Sequence, residues 1–98
     1  MAREKMIKTL LKEFIVNNGL DLSGKGSELN GNCVILAGYL CYIVSERELG
    51  LYEGIDAIKQ LELSTDSTNE LIRVFDFAYI SSYEHFWTTK DAKDKYKF

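Results

Sequence analysis

One histidine, two cysteines and a glycine-rich loop holding a lysine are the residues of this 98-residue chain whose types and spacing could do chemistry. His85 follows Ser81 and Ser82 by four and three residues, so on a helix either hydroxyl would lie within reach of the imidazole, as a nucleophile must of its base. Helical serines commonly bond back to their own backbone, and a histidine at a helix C-terminus is favoured by the helix dipole without any catalytic task. No cysteine and no second histidine lies within helical reach of His85 to complete a metal site. Cys33 and Cys41 stand eight residues apart in the apolar run CVILAGYLCYIV. On a helix that spacing separates them by ~12 Å along the axis, too far for a disulfide. Aliphatic surroundings raise a thiol's pKa and make it inert, so core packing is the expected role of both.

The segment Gly19 to Ser27 (GLDLSGKGS) is one residue from a phosphate-binding loop. That loop needs Ser or Thr directly after its lysine to reach a magnesium ion, and it joins a strand to a helix in a large parallel sheet. Here Gly26 intervenes, and an amphipathic helix precedes. Asp21, Ser23, Lys25 and Gly26 also echo the start of a calcium loop, but a lysine fills the fifth position and Asn32 stands where a bidentate glutamate belongs. Further on, SEREL and AIKQLE resemble parts of bacterial winged-helix repressors over less than a fifth of the chain. The would-be recognition helix carries Glu53, Asp56 and Glu62 against Lys59 alone, the wrong sign for approaching phosphates. Paired carboxylates such as Glu46/Glu48 and Glu53/Asp56 lie beside Arg47 or Lys59 and have the character of solvated charge. The expectation is a protein with no catalytic residues, no cofactor and no metal.

Periodicity supplies the elements that would position these groups. Met6, Ile7, Leu10, Leu11, Phe14 and Ile15 recur at i, i+3/i+4, which predicts an amphipathic helix over 3–17, stopped by Asn18-Gly19. Residues 20–26 form a loop, and Ser27 or Asn30 could N-cap a second helix over 30–49 that ends before Gly50. A third helix is expected over 51–62. After the polar break LSTDST a long fourth runs over 67–87, with Glu70 at capping-box spacing from Ser67. Gly38, inside the second helix, suggests close approach by a neighbouring backbone. The tail 88–98 is charged and thinly apolar, either a frayed helical extension or disordered. The fold expected is an all-α bundle of about four helices in one domain, with the second innermost.

Composition sets the outer limits. Hydrophobic residues make up 46% of the chain and charged residues 28%, which suits a globular protein rather than a disordered one. The net charge of −3 is uneven: residues 1–18 carry four bases and two acids, 19–87 four and eleven, and 88–98 four and two. An acidic body with mildly basic ends argues against nucleic-acid binding, which needs clustered Lys and Arg. The longest apolar stretch has 12 residues, short of the ~20 that span a membrane. No secretory signal is apparent, and two unpaired thiols suit a reducing compartment, so the cytoplasm is the expected location.

Too much apolar helix surface is present for a chain this short to cover. At ~100° per residue the apolar positions of helix four occupy about two-thirds of its circumference, where an arc of ~100° serves one core. Phe77 falls in the middle of the remaining polar strip of Glu70, Arg73, Ser81 and Glu84. Helix two is apolar all round for three turns. The function expected is therefore a non-enzymatic helical interaction module that self-associates, most simply as a dimer, with Tyr39, Tyr42, Phe77, Tyr83 and Trp87 at the contact. Two other readings stand behind it: a small acidic inhibitor or immunity-type protein that blocks a larger target, and a small helical enzyme.

Overall fold

The computed structural model describes residues 5–98. They form five α-helices and one 3-10 turn, with no strand among them: α1 (Ile7–Asn17), α2 (Gly26–Glu46), α3 (Leu51–Lys59), α4 (Thr65–Ile80), the 3-10 turn Tyr83–Thr88, and α5 (Lys90–Lys95). The all-α bundle expected from periodicity is the fold observed. Its radius of gyration is 12.5 Å, close to the ~13 Å of a compact domain of about 100 residues.

α2 is the centre. Leu36 to Cys41 are six consecutive buried residues, so this helix is surrounded rather than one-sided, and α1, α3, α4 and the 3-10 turn all pack on it. Its most extensive neighbour is α4. Asn30 Nδ2, near the start of α2, donates to Glu70 Oε2 on the second turn of α4 at 2.8 Å. Cys41 and Ser45, near the end of α2, share a hollow with Tyr79 at the end of α4. The two helices therefore run in the same direction.

Capping explains the boundaries that differ from expectation. The expected start of α1 at residue 3 lies outside the described residues; among those described the helix begins at Ile7. It ends as predicted at Asn18-Gly19, where Gly19 takes φ +60° while its N–H and that of Leu20 reach back to Val16 and Ile15. α2 occupies 26–46 rather than 30–49. It starts after Lys25, which places Ser27 and Asn30 inside the helix, and its stop is made by Glu48 in the left-handed conformation (φ 55°), not by a glycine. Gly50 instead caps the start of α3, which ends at Lys59 rather than at residue 62. α4 begins two residues early, because Ser64 and not Ser67 is the N-cap: Ser64 Oγ accepts from the Ser67 N–H at 3.2 Å. Ser67 is buried and donates to the Leu22 carbonyl at 2.6 Å, tying the loop before α2 to α4.

The largest departure is at the end of α4. A single helix over 67–87 is not formed; α4 stops at Ile80, Ser82 adopts φ 59°, ψ 46°, and the chain turns into the 3-10 segment. This break lets Trp87 enter the core instead of continuing along the surface. Nor is the tail frayed. α5 is capped by Thr89, whose Oγ1 accepts from the Ala92 N–H, and Ala92 is fully buried. Asn18 then clasps the chain end: its Oδ1 accepts from the Lys97 N–H at 2.8 Å, and its Nδ2 donates to the Lys97 carbonyl at 2.7 Å.

Candidate functional site: an apolar furrow between α2, α4 and the 3-10 turn

The break at Ser81-Ser82 sorts the side chains that follow. Trp87 turns inward and meets Phe14 edge-on at a centroid separation of 5.6 Å and Tyr39 at 5.9 Å, while Tyr39 stacks on Phe14 at 4.1 Å. Tyr96 and Phe98 from the tail close over the same cluster. Gly38 is what admits the indole: a Cβ there would lie 2.5 Å from Trp87 Nε1. The close approach expected at this glycine is therefore made by a side chain rather than by a backbone. Gly54 plays the same part for the Phe75 ring.

Of the five residues expected at an interface, Tyr39 and Trp87 are buried in the core of the single chain and present no surface to a partner. Tyr42 is half-buried against Tyr39 and Phe98. Phe77 and Tyr83 are on the surface, and they are not isolated. Phe77 is 65% exposed, Val34 49%, Tyr83 48% and Phe86 41%. Val34 and Tyr83 belong to two adjoining hollows. One, of about 130 Å³, is completed by Val74, Phe77 and Ala78. The other, of about 250 Å³, is completed by Ile35, Gly38, Phe86, Trp87 and Tyr96. Together they make one furrow across α2, α4 and the 3-10 turn, with no charged residue among the described residues of its walls.

Sequence reasoning missed Val34 and Phe86. Val34 sits in a run that is otherwise buried or half-buried, yet it is exposed beside Val74, Phe77 and Ala78 of α4. Phe86 was hidden by the assumption of a continuous helix four, on which it would share a face with Tyr79 and Tyr83 rather than flank a furrow.

The groups first considered for chemistry are arranged otherwise. His85 is largely solvated and lies on the 3-10 turn, its Nε2 3.7 Å from Glu84 Oε1. The helical register that would bring Ser81 and Ser82 to it is broken. Cys33 and Cys41 are free and buried; burial, with a smaller contribution from Glu70, pushes the Cys33 thiol up to about 11, and burial, aided by Glu84, pushes Cys41 up to about 12. Neither forms a nucleophilic thiolate near neutral pH. In the loop before α2, Asp21 Oδ1 accepts from both the backbone N–H and the hydroxyl of Ser23, which holds its carboxyl below the usual range and uses it as a turn former. Among the described residues no group of three or more His, Cys, Asp or Glu side chains is placed to hold a metal ion, and no helix is long and apolar enough to cross a membrane. No protein-family model matches the chain, and no curated protein or solved structure matches it significantly.

Proposed function

We propose that the protein is a non-enzymatic interaction module that self-associates, burying the furrow of Val34, Phe77, Tyr83 and Phe86 against the same furrow of a second copy. The observation that carries this reading is the joining of four solvent-exposed apolar side chains from three elements into one surface free of charge. Water in contact with such a surface is released on association, and the centres of protein interfaces are depleted of charge and enriched in aromatics. A twofold contact uses one patch twice, so the Phe77 ring of each copy would meet the hollow beside Val34 and Tyr83 of the other. A standard interface takes ~800 Å² from each partner, about an eighth of this chain's 6234 Å². The proposal takes the protein to act in the cytoplasm, and the two free, buried thiols support a reducing compartment.

Light scattering at low micromolar concentration tests the proposal. The wild type is expected at the mass of a dimer. Phe77→Asp should weaken association at least about thirtyfold, the effect of losing an interface hot spot of ~2 kcal/mol. Its unfolding midpoint should be nearly unchanged, because exposed positions tolerate substitution. A wild type that stays monomeric at hundreds of micromolar, or an unaltered dimer in the variant, overturns the reading.

A further inference from the structure

Because α2 and α4 run in the same direction, both bring their C-terminal ends to one side of the molecule, away from the Asn30–Glu70 contact. Helix C-termini carry partial negative charge; here the N–H groups of Glu48, Leu49 and Ser82 take up the Ser45, Val44 and Tyr79 carbonyls, and Arg47 stands at the C-cap of α2. Between these ends and the 3-10 turn lies a hollow of about 400 Å³, walled by Cys41, Ser45, Leu49, Tyr79, Ser82 and Glu84. It shares no residue with the apolar furrow, and its character is opposite.

Among the described residues of the wall, Glu84 is the only charged one. The left-handed turn at Ser82 places it there, with its side chain only 26% exposed, while Tyr83 on the opposite side enters the furrow. Its carboxylate makes no hydrogen bond to a described residue, and the His85 imidazole Nε2 stands off at 3.7 Å. The hydroxyls of Ser45, Tyr79 and Ser82 are likewise without a hydrogen-bond partner among the described residues. The hollow thus combines a shielded carboxylate and three hydroxyls, with no lysine or arginine among the described residues of its wall. A volume of this size lies at the lower end of the ~300–1,000 Å³ common for small-molecule sites.

We infer that this hollow binds a small organic cation, an alkylammonium group whose N–H donors meet the Glu84 carboxylate and the hydroxyls of Ser45, Ser82 and Tyr79, with Leu49 and the Cys41 side chain against its alkyl stem. An ammonium has three donors and no acceptor, which suits a wall of acceptors. The Glu84 carboxylate disfavours an anionic ligand in the same place. The site is independent of association through the furrow.

The test is a titration of the full-length protein, followed by amide chemical shifts, with n-butylammonium and, separately, its neutral isostere n-butanol. Saturable shifts confined to residues around Ser45, Tyr79, Ser82 and Glu84 are expected with the amine and not with the alcohol. Glu84→Gln should weaken the amine at least tenfold, and the distant Glu62→Gln should leave it unchanged. Ser45→Trp, at an exposed position on the last turn of α2, fills the hollow and should abolish binding in a chain that still gives a folded spectrum. Non-saturating shifts in the wild type, equal binding of the alcohol, or undiminished binding in Glu84→Gln overturns the assignment.

Discussion

At the residue scale, the polar group with the most to lose is Glu70. Arg73 grips it with two nitrogens, Nε to Oε1 at 2.8 Å and Nη2 to Oε2 at 2.9 Å, and Asn30 adds a third bond from α2. The Arg73 and Asn30 hydrogen bonds together hold its carboxyl down to about 2, against an ordinary 4.5. A carboxyl that ionises more readily folded than unfolded stabilises the fold fully above pH 4.5 and progressively less as pH falls towards 2. Arg73 is largely solvated, so solvent screens most of this contribution and leaves it small. Glu70→Gln should therefore lower the urea midpoint at pH 7 and have almost no effect at pH 2; equal effects at both pH values would show that the ion pair is not the cause. Gly38 shows the opposite kind of necessity, where what matters is an absent atom. The indole of Trp87 occupies the space of its missing Cβ, and a helix interior otherwise disfavours glycine by ~1 kcal/mol relative to alanine.

At the element scale, the decisive feature is the division of one apolar run into α4 and a 3-10 turn. Residues 67–87 have enough helical periodicity to continue, yet Ser82 turns left-handed and the chain doubles towards α2. The helix that results needs fewer neighbours, and Trp87 gains a core position beside Phe14 and Tyr39. α5 is the lid on that cluster, and a helix of six residues has no stability of its own. It is held by Ala92, by the rings of Tyr96 and Phe98, and by the Asn18 side chain. Asn18→Ala removes both bonds to Lys97 and should cost about 1 kcal/mol. The loss should fall locally, as faster amide exchange over residues 92–98 and a red shift of Trp87 emission. Unchanged exchange in the tail would mean that the ring contacts alone suffice.

At the scale of the whole molecule, burial is continuous from α1 through α2 to the tail, with every large core side chain part of one cluster. Cys33 and Cys41 lie within it and report on its closure. With their thiols pushed up to about 11 and about 12, Cys33 fully buried and Cys41 nearly so at the wall of the hollow beside Glu84, they should react with a disulfide reagent at pH 8 chiefly when the chain opens. For a domain of ordinary stability that slows modification more than about a hundredfold relative to the urea-unfolded protein. Native thiols that react as fast as unfolded ones would contradict a closed core. The same continuity bears on association. Much of the apolar excess seen along helices two and four is absorbed within the chain, because the tail and the 3-10 turn return to cover it. What remains outside is the furrow around Phe77 and, at the end of α4, Ile80.

Periodicity and composition alone determined the helical class, the central place of α2, the Gly19 stop of α1 and the exposure of Phe77, because each follows from local spacing and from the chemistry of single residues. Only the tertiary structure decided that Tyr39 and Trp87 belong inside, that the tail is ordered, and that Val34 and Phe86 join Phe77 and Tyr83 in one surface. Those outcomes depend on a turn at Ser82 that no residue type demands, since serine carries no strong preference for the left-handed region. That turn is favoured only by what it brings together from distant parts of the chain: the indole of Trp87, the ring of Phe14 in the first helix, and Gly38 with room between them.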